Sequence, residues 1–219
     1  MTRNRLFWLA VVLAVLAGVV YNSWPLGYVL NPLVTHSGGL ASELEALHQP
    51  YNWLFVLLDT VCGIGVMAAT AMLWHRAIDW MHKVVLVNFA LFGLLTIADA
   101  LLPMTCEPSL TVCPGLGQQP LLILHGVASI GSAIFLFISA FIMWWHMHHK
   151  VGKAIMTALM AGWGVSGLLT LYFFFRPGPG YLAQDYYLVL CGIWVALLPH
   201  MLWRLTHNSV LARELEANY

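Results

Sequence analysis

Six stretches of this chain are almost continuously apolar, near 6 to 23, 52 to 74, 84 to 103, 120 to 145, 154 to 175 and 185 to 203, with polar residues collected in the short segments between them. Roughly 20 apolar residues at 1.5 Å rise each span a hydrocarbon core ~30 Å thick, so every run is long enough to cross a bilayer as a helix. A membrane strand would show ~10 residues of alternating polarity instead. Helices also satisfy their own backbone hydrogen bonds, as the dry bilayer interior requires. The expected fold is all-α: residues 1–219 form a single transmembrane domain, a polytopic helical bundle of six transmembrane helices.

Composition and charge sharpen this picture. Of 219 residues, 61% are hydrophobic and 8% charged, too few charges for the surface of a soluble globule. Lysine and arginine balance aspartate and glutamate at zero net charge, which gives no basic footprint for nucleic acid. The expected partners are membrane lipids and a membrane-protein partner or second copy. Basic residues fall on alternate connections: Arg3 and Arg5, Arg76 and Lys83, Lys150 and Lys153, Arg204 and Arg213, against Arg176 alone on the other side. The positive-inside rule then makes both termini cytoplasmic and turns residues 24–51, 104–119 and 176–184 outward, in a cytoplasmic (inner) membrane. A basic start before an apolar run also describes a secretory signal, but Leu16, Ala17 and Gly18 offer a poor cleavage site, and a retained helix is expected.

Small residues four apart, Gly65 with Ala69, Ala128 with Ser132 and Gly162 with Ser166, read as helix-packing seams. Tryptophans and tyrosines near the helix ends, Trp53, Trp74, Trp144, Trp145, Tyr172, Tyr186 and Trp203, read as interfacial anchors.

Against this background three ionisable residues stand out inside the apolar runs: Asp59, Asp99 and His125. Counting from the helix ends puts each about 6 to 10 Å below the same membrane face. Intramembrane charges cost several kcal/mol and are seldom kept without a use. Ser129, one turn from His125, extends the group as a less favoured nucleophile, and Asp59, Asp99 and His125 are the candidate ligands should a divalent metal such as zinc bind. The bland alternative is an interhelical polar network in which Asp99 bonds to the backbone near Pro103 and His125 only packs.

The long connection at 24–51 is expected to cover this layer with a short amphipathic helix. Ser42-Glu43-Leu44-Glu45 has the form of a capping box, which assigns Glu45 to capping, and Leu40, Leu44 and Leu47 would form the apolar stripe. Glu43 and His48, with His36, could then hang over the site as ligand-binding residues. Cys106 and Cys113, in one short outward connection, are expected to form a disulfide. At the opposite face, His75, His82, His146, His148, His149, His200 and His207 form a ring read mainly as solvated surface; haem, which needs facing histidines at matched depth, is disfavoured.

Several of these residues form a recognisable set: Asn31-Pro32, Ser42-Glu43-Leu44, Gln49-Pro50, Trp53-Leu54-Phe55, Asp59 with Gly63, Asp99 through Leu102-Pro103-Met104, Cys106, Pro108, Ser109 and Cys113, and His125-Gly126-Val127-Ala128-Ser129. The set resembles a bacterial integral-membrane family catalogued as domain of unknown function 998. The resemblance is carried by the first four helices and implies a small membrane bundle without an assigned activity. The residue types at Asp59, Asp99, His125 and Ser129 are also distantly similar to alkaline ceramidase-like membrane hydrolases, whose paired histidines in the last helix are missing here.

Three functions follow as expectations. The first is an accessory or assembly membrane subunit with an outward-facing buried polar cluster. The second is a membrane-embedded, metal-dependent hydrolase or transferase acting on a lipid or lipid-linked substrate. The third is a proton- or cation-coupled transporter or sensor.

Overall fold

The computed structural model describes residues 3–114, 120–174, 176 and 180–217, with side chains described among those from Asn4 to Arg204. His207 and Arg213 lie outside the described side chains, as do parts of the connections at 104–119 and 176–184. All described regular structure is helical. Six helices are long and apolar enough to cross a membrane, in agreement with the hydropathy pattern.

The long helices are α1 (Arg3–Val20), α4 (Asn52–Trp74), α5 (Trp80–Leu101), α6 (Pro120–Trp145), α7 (Lys150–Phe174) and α8 (Gly180–Ala217), with the short α2 (Gly27–Leu30) and α3 (Pro32–His36) between α1 and α4. Three boundaries differ from the hydropathy reading for local reasons. Helix α5 starts at Trp80, before the apolar run, because Asp79 caps it by accepting the His82 N–H at 2.9 Å. Helix α7 starts at Lys150 because the His149 ring nitrogen accepts the Gly152 N–H. Helix α8 runs through Pro199 and continues past 203 to Ala217.

The long helices pack as a ring in chain order, with α1 closing it between α4 and α8. The contact between α6 and α7 is the lightest in the ring, and α6 also reaches across to α8, where the Trp194 indole donates to the Ser139 hydroxyl at 3.0 Å. Lipid tails are as apolar as leucine, so close packing rather than the hydrophobic effect holds such helices together. On α1, Ala10, Ala14 and Ala17 form a buried small-residue stripe that ends at Tyr21. The tightest crossings are glycine on glycine. A Cβ on Gly63 would lie 2.4 Å from the Gly93 carbonyl oxygen, and one on Gly18 would lie 2.4 Å from that of Gly192. Gly65 and Gly162 also sit at helix contacts, against Ala17 and Leu190 respectively.

Across one end of the ring lies a strap, residues 24–51, built of α2, α3 and a 3-10 turn at Ala41–Glu45 rather than one amphipathic helix. Its two ends are tied together by Asn31, whose side-chain amide donates to the Pro50 carbonyl at 2.7 Å and to Gln49 at 3.3 Å. The Leu47 N–H donates to the Met104 carbonyl, joining the strap to the α5–α6 connection. Leu40 and Leu44 are buried, whereas Leu47 is exposed. The expected capping by Glu45 is corrected: Glu43 performs it, with Oε1 accepting the Leu40 N–H at 3.0 Å while the Glu43 N–H donates to the Leu40 carbonyl.

Candidate functional site

The 3-10 turn decides which acid enters the bundle. Residues three apart eclipse in such a turn, so Ser42 and Glu45 face the same way and Glu43 faces another. Ser42 and Glu45 line a cavity between the strap and the helix ends, together with Tyr21, Ser23 and Trp24 after α1, Phe55 and Asp59 on α4, Asp99 on α5, Ser129 on α6, and Gln184 and Tyr187 on α8. The space open to water centres is about 60 Å³, enough for about four waters.

Three carboxyl groups share this cavity. Glu45 is 6% exposed and its carboxyl is an electrostatic neighbour of that of Asp59 across the cavity. Burial first, then the negative charges of Asp59 and Asp99, push the Glu45 carboxyl well above the usual carboxylate range. Asp99 completes the acidic wall, with Ser129 lining the cavity beside it. Among the described residues, no lysine, arginine or histidine lines the cavity.

His125 stands behind this wall. Its Nδ1 lies 3.0 Å from the Leu102 carbonyl oxygen and 3.2 Å from that of Asp99; both are acceptors, so Nδ1 carries the hydrogen. The imidazole thus covers carbonyls at the end of α5, which have no further helical turn to bond. Asp99 Oδ1 is also 3.1 Å from Nδ1 but receives no aligned hydrogen bond.

Asp59, Asp99 and Ser129 therefore come together around one space, with His125 attached to it through Asp99. Glu43 belongs to the strap's framework: Oε2 accepts from the Ser109 N–H at 3.0 Å and the Ser109 hydroxyl at 2.6 Å. Ser109 sits in the loop closed by the Cys106–Cys113 disulfide. His48 and His36 are exposed and do not line the cavity. Among the described residues, no three His, Cys, Asp or Glu side chains are arranged to hold a metal ion.

Tyr21, Gln184 and Tyr187 are among the lining residues not singled out from the sequence, and Glu45 had been assigned to capping. A helical period was available for α8, since Gln184, Tyr187, Leu188 and Cys191 repeat at i, i+3, i+4 and i+7 and mark the inward face. The Tyr187 ring packs against that of Trp163, with centroids 6.3 Å apart.

A family model described as "Protein of unknown function (DUF998)" matches residues 8–201. The chain belongs to that family. The match runs from α1 through α8, beyond the four helices on which the sequence resemblance rested, and gives the DUF998 protein a membrane bundle without an assigned activity. No curated protein and no solved structure matches it.

Proposed function

We propose that this DUF998 protein binds protons, or a small cation in their place, in a cavity beneath the extracytoplasmic face of a cytoplasmic membrane, as the input site of a sensor or coupled transporter. The observation that carries the reading is that the Glu45, Asp59 and Asp99 carboxyls line one cavity, in which no basic side chain among the described residues faces them. Three acids in one buried space repel each other unless protons or a cation enter. Placement outside the cytoplasm follows from the basic residues on the opposite connections.

The two other readings draw less support. In a serine hydrolase the imidazole would take the proton of Ser129, but His125 directs Nδ1 at backbone carbonyls and lies outside the cavity lining. The space is also several-fold smaller than the ~300 Å³ or more typical of ligand pockets. An accessory subunit would need the acids only for packing, whereas here they face open space.

Infrared difference spectra of the protein in lipid nanodiscs, recorded while the external pH is stepped, test the proposal. A protonated-carboxyl band is expected to appear and disappear with pH, and to be lost in both Glu45→Gln and Asp59→Asn. A pH-independent spectrum, or a band unchanged in both variants, would overturn it.

A further inference from the structure

A second, smaller cavity adjoins the carboxyl cavity, and Trp24, Ala41 and Leu44 line both. Its remaining walls are Tyr28, Thr35, Gly39, Leu40, Tyr181 and Asp185. We propose that Asp185, with the rings of Trp24, Tyr28 and Tyr181, forms a vestibule that binds ammonium or the ammonium head of a primary amine on its way to the carboxyl cavity. The inference rests on the cation-binding reading above and names the kind of cation.

The chemistry of the lining favours this ligand. Three aromatic rings and one carboxylate line the space, and among the described residues no basic side chain does. The Trp24 and Tyr28 rings meet as a corner, with centroids 6.2 Å apart and planes at 65°, while Asp185 and Tyr181 are electrostatic neighbours of Tyr28. A cation held between ring faces and a carboxylate gains from both the ring quadrupoles and the charge. Hard metal ions instead require six or more oxygens, which this lining does not offer.

Size narrows the class further. The space open to water centres is about 10 Å³, close to that of a single water. An ammonium group is about the size of a water molecule and fits this space. The shared wall gives the route inward: Ala41 and Leu44 belong to the 3-10 turn that carries Glu45, and the Ala41 N–H is held by the side-chain oxygen of Gln184, which itself lines the inner cavity. Trp24, Ala41 and Leu44 are thus the residues that separate Asp185 from the cavity of Glu45.

Calorimetric titration of methylammonium chloride into the protein in nanodiscs, in a background of sodium chloride, tests the site. Saturable binding is expected, weakened at least about tenfold by Asp185→Asn, the scale of one charge-assisted hydrogen bond. It is also expected to weaken in Tyr28→Leu, and an intact carboxyl infrared band in Asp185→Asn would show that the fold persists. No saturable binding, equal displacement by added sodium, or full affinity in Asp185→Asn would overturn the vestibule. Methylammonium binding that depends on Asp185 and survives Asp59→Asn upholds it even if the carboxyl band proves independent of pH, in which case only the proton-binding reading falls.

Discussion

Glu43→Gln isolates the strap from the site it covers, because Glu43 touches none of the cavity carboxyls in the interactions described above. Its carboxylate is 3% exposed and accepts three hydrogen bonds, from the Leu40 N–H, the Ser109 N–H and the Ser109 hydroxyl. Glutamine keeps the shape but replaces one acceptor oxygen with an NH2 group. If the remaining oxygen stays with Leu40, the NH2 faces the Ser109 N–H, donor against donor; the Ser109 hydroxyl can turn to accept, but one buried N–H is left without a partner. A hydrogen bond to a charged group contributes about 1.5–3 kcal/mol, and an orphaned buried donor costs about 1–3 kcal/mol. Counting the loss once, the seated strap should weaken by about 2–3 kcal/mol, or about 30- to 150-fold in its opening equilibrium. Hydrogen exchange at the Leu40 and Ser109 amides reads that opening directly. The same variant should shift the pH at which the carboxyl infrared band titrates, since Glu45 rides on the turn that Glu43 anchors. An exchange rate changed less than about threefold at both amides, under conditions where exchange follows the opening equilibrium, would refute the reasoning.

Two further outcomes follow from the same geometry. Seating the strap raises the Glu45 pKa above the ~4.3 of a free glutamate. The stabilisation from its neutral form is therefore complete below that ordinary value, declines as pH rises above it, and is gone once pH passes the raised value. Groups around it act in the same cavity: Asp59 on α4, Asp99 on α5 with His125 and Ser129 of α6 behind or beside it, Tyr21 following α1 and Tyr187 on α8. Exchange of strap amides, corrected for intrinsic rates, should accelerate with alkaline pH, and Glu45→Gln should flatten that dependence. At the α4–α5 crossing, Gly63→Ala places a Cβ 2.4 Å from the Gly93 carbonyl oxygen and should cost about 1–3 kcal/mol through backbone displacement, whereas Gly126→Ala, with nothing within 4 Å, should be close to neutral. Thermal unfolding of both variants in one detergent checks the contrast.

Hydropathy and loop charge were enough to read six spanning helices, and the spacing of Asp59, Asp99 and His125 along them already put all three near one end. These features are legible because they depend on chain length per residue and on the dryness of the bilayer, both local properties. The disulfide was legible as well, from two cysteines in one short connection. Glu45 was not, because Ser42-Glu43-Leu44-Glu45 reads as a helix start, and only the tertiary setting selected a 3-10 turn in which Glu43 meets Ser109 and Glu45 drops onto Asp59. His125 shows the same limit from the other side: the sequence gives its depth, but its ring is turned to the carbonyls of Asp99 and Leu102 by the way α5 ends beside α6.

What the sequence determined by itself, then, is the number of membrane crossings and the level of the ionisable groups, since both are set by apolar run length and rise per residue. Which of those groups face each other was decided only by the folded ring and its strap. Side-chain direction there depends on helix rotation, on glycine contacts such as Gly63 with Gly93, and on hydrogen bonds from residues as distant in the chain as Ser109 and Gln184, and no local pattern encodes such partners.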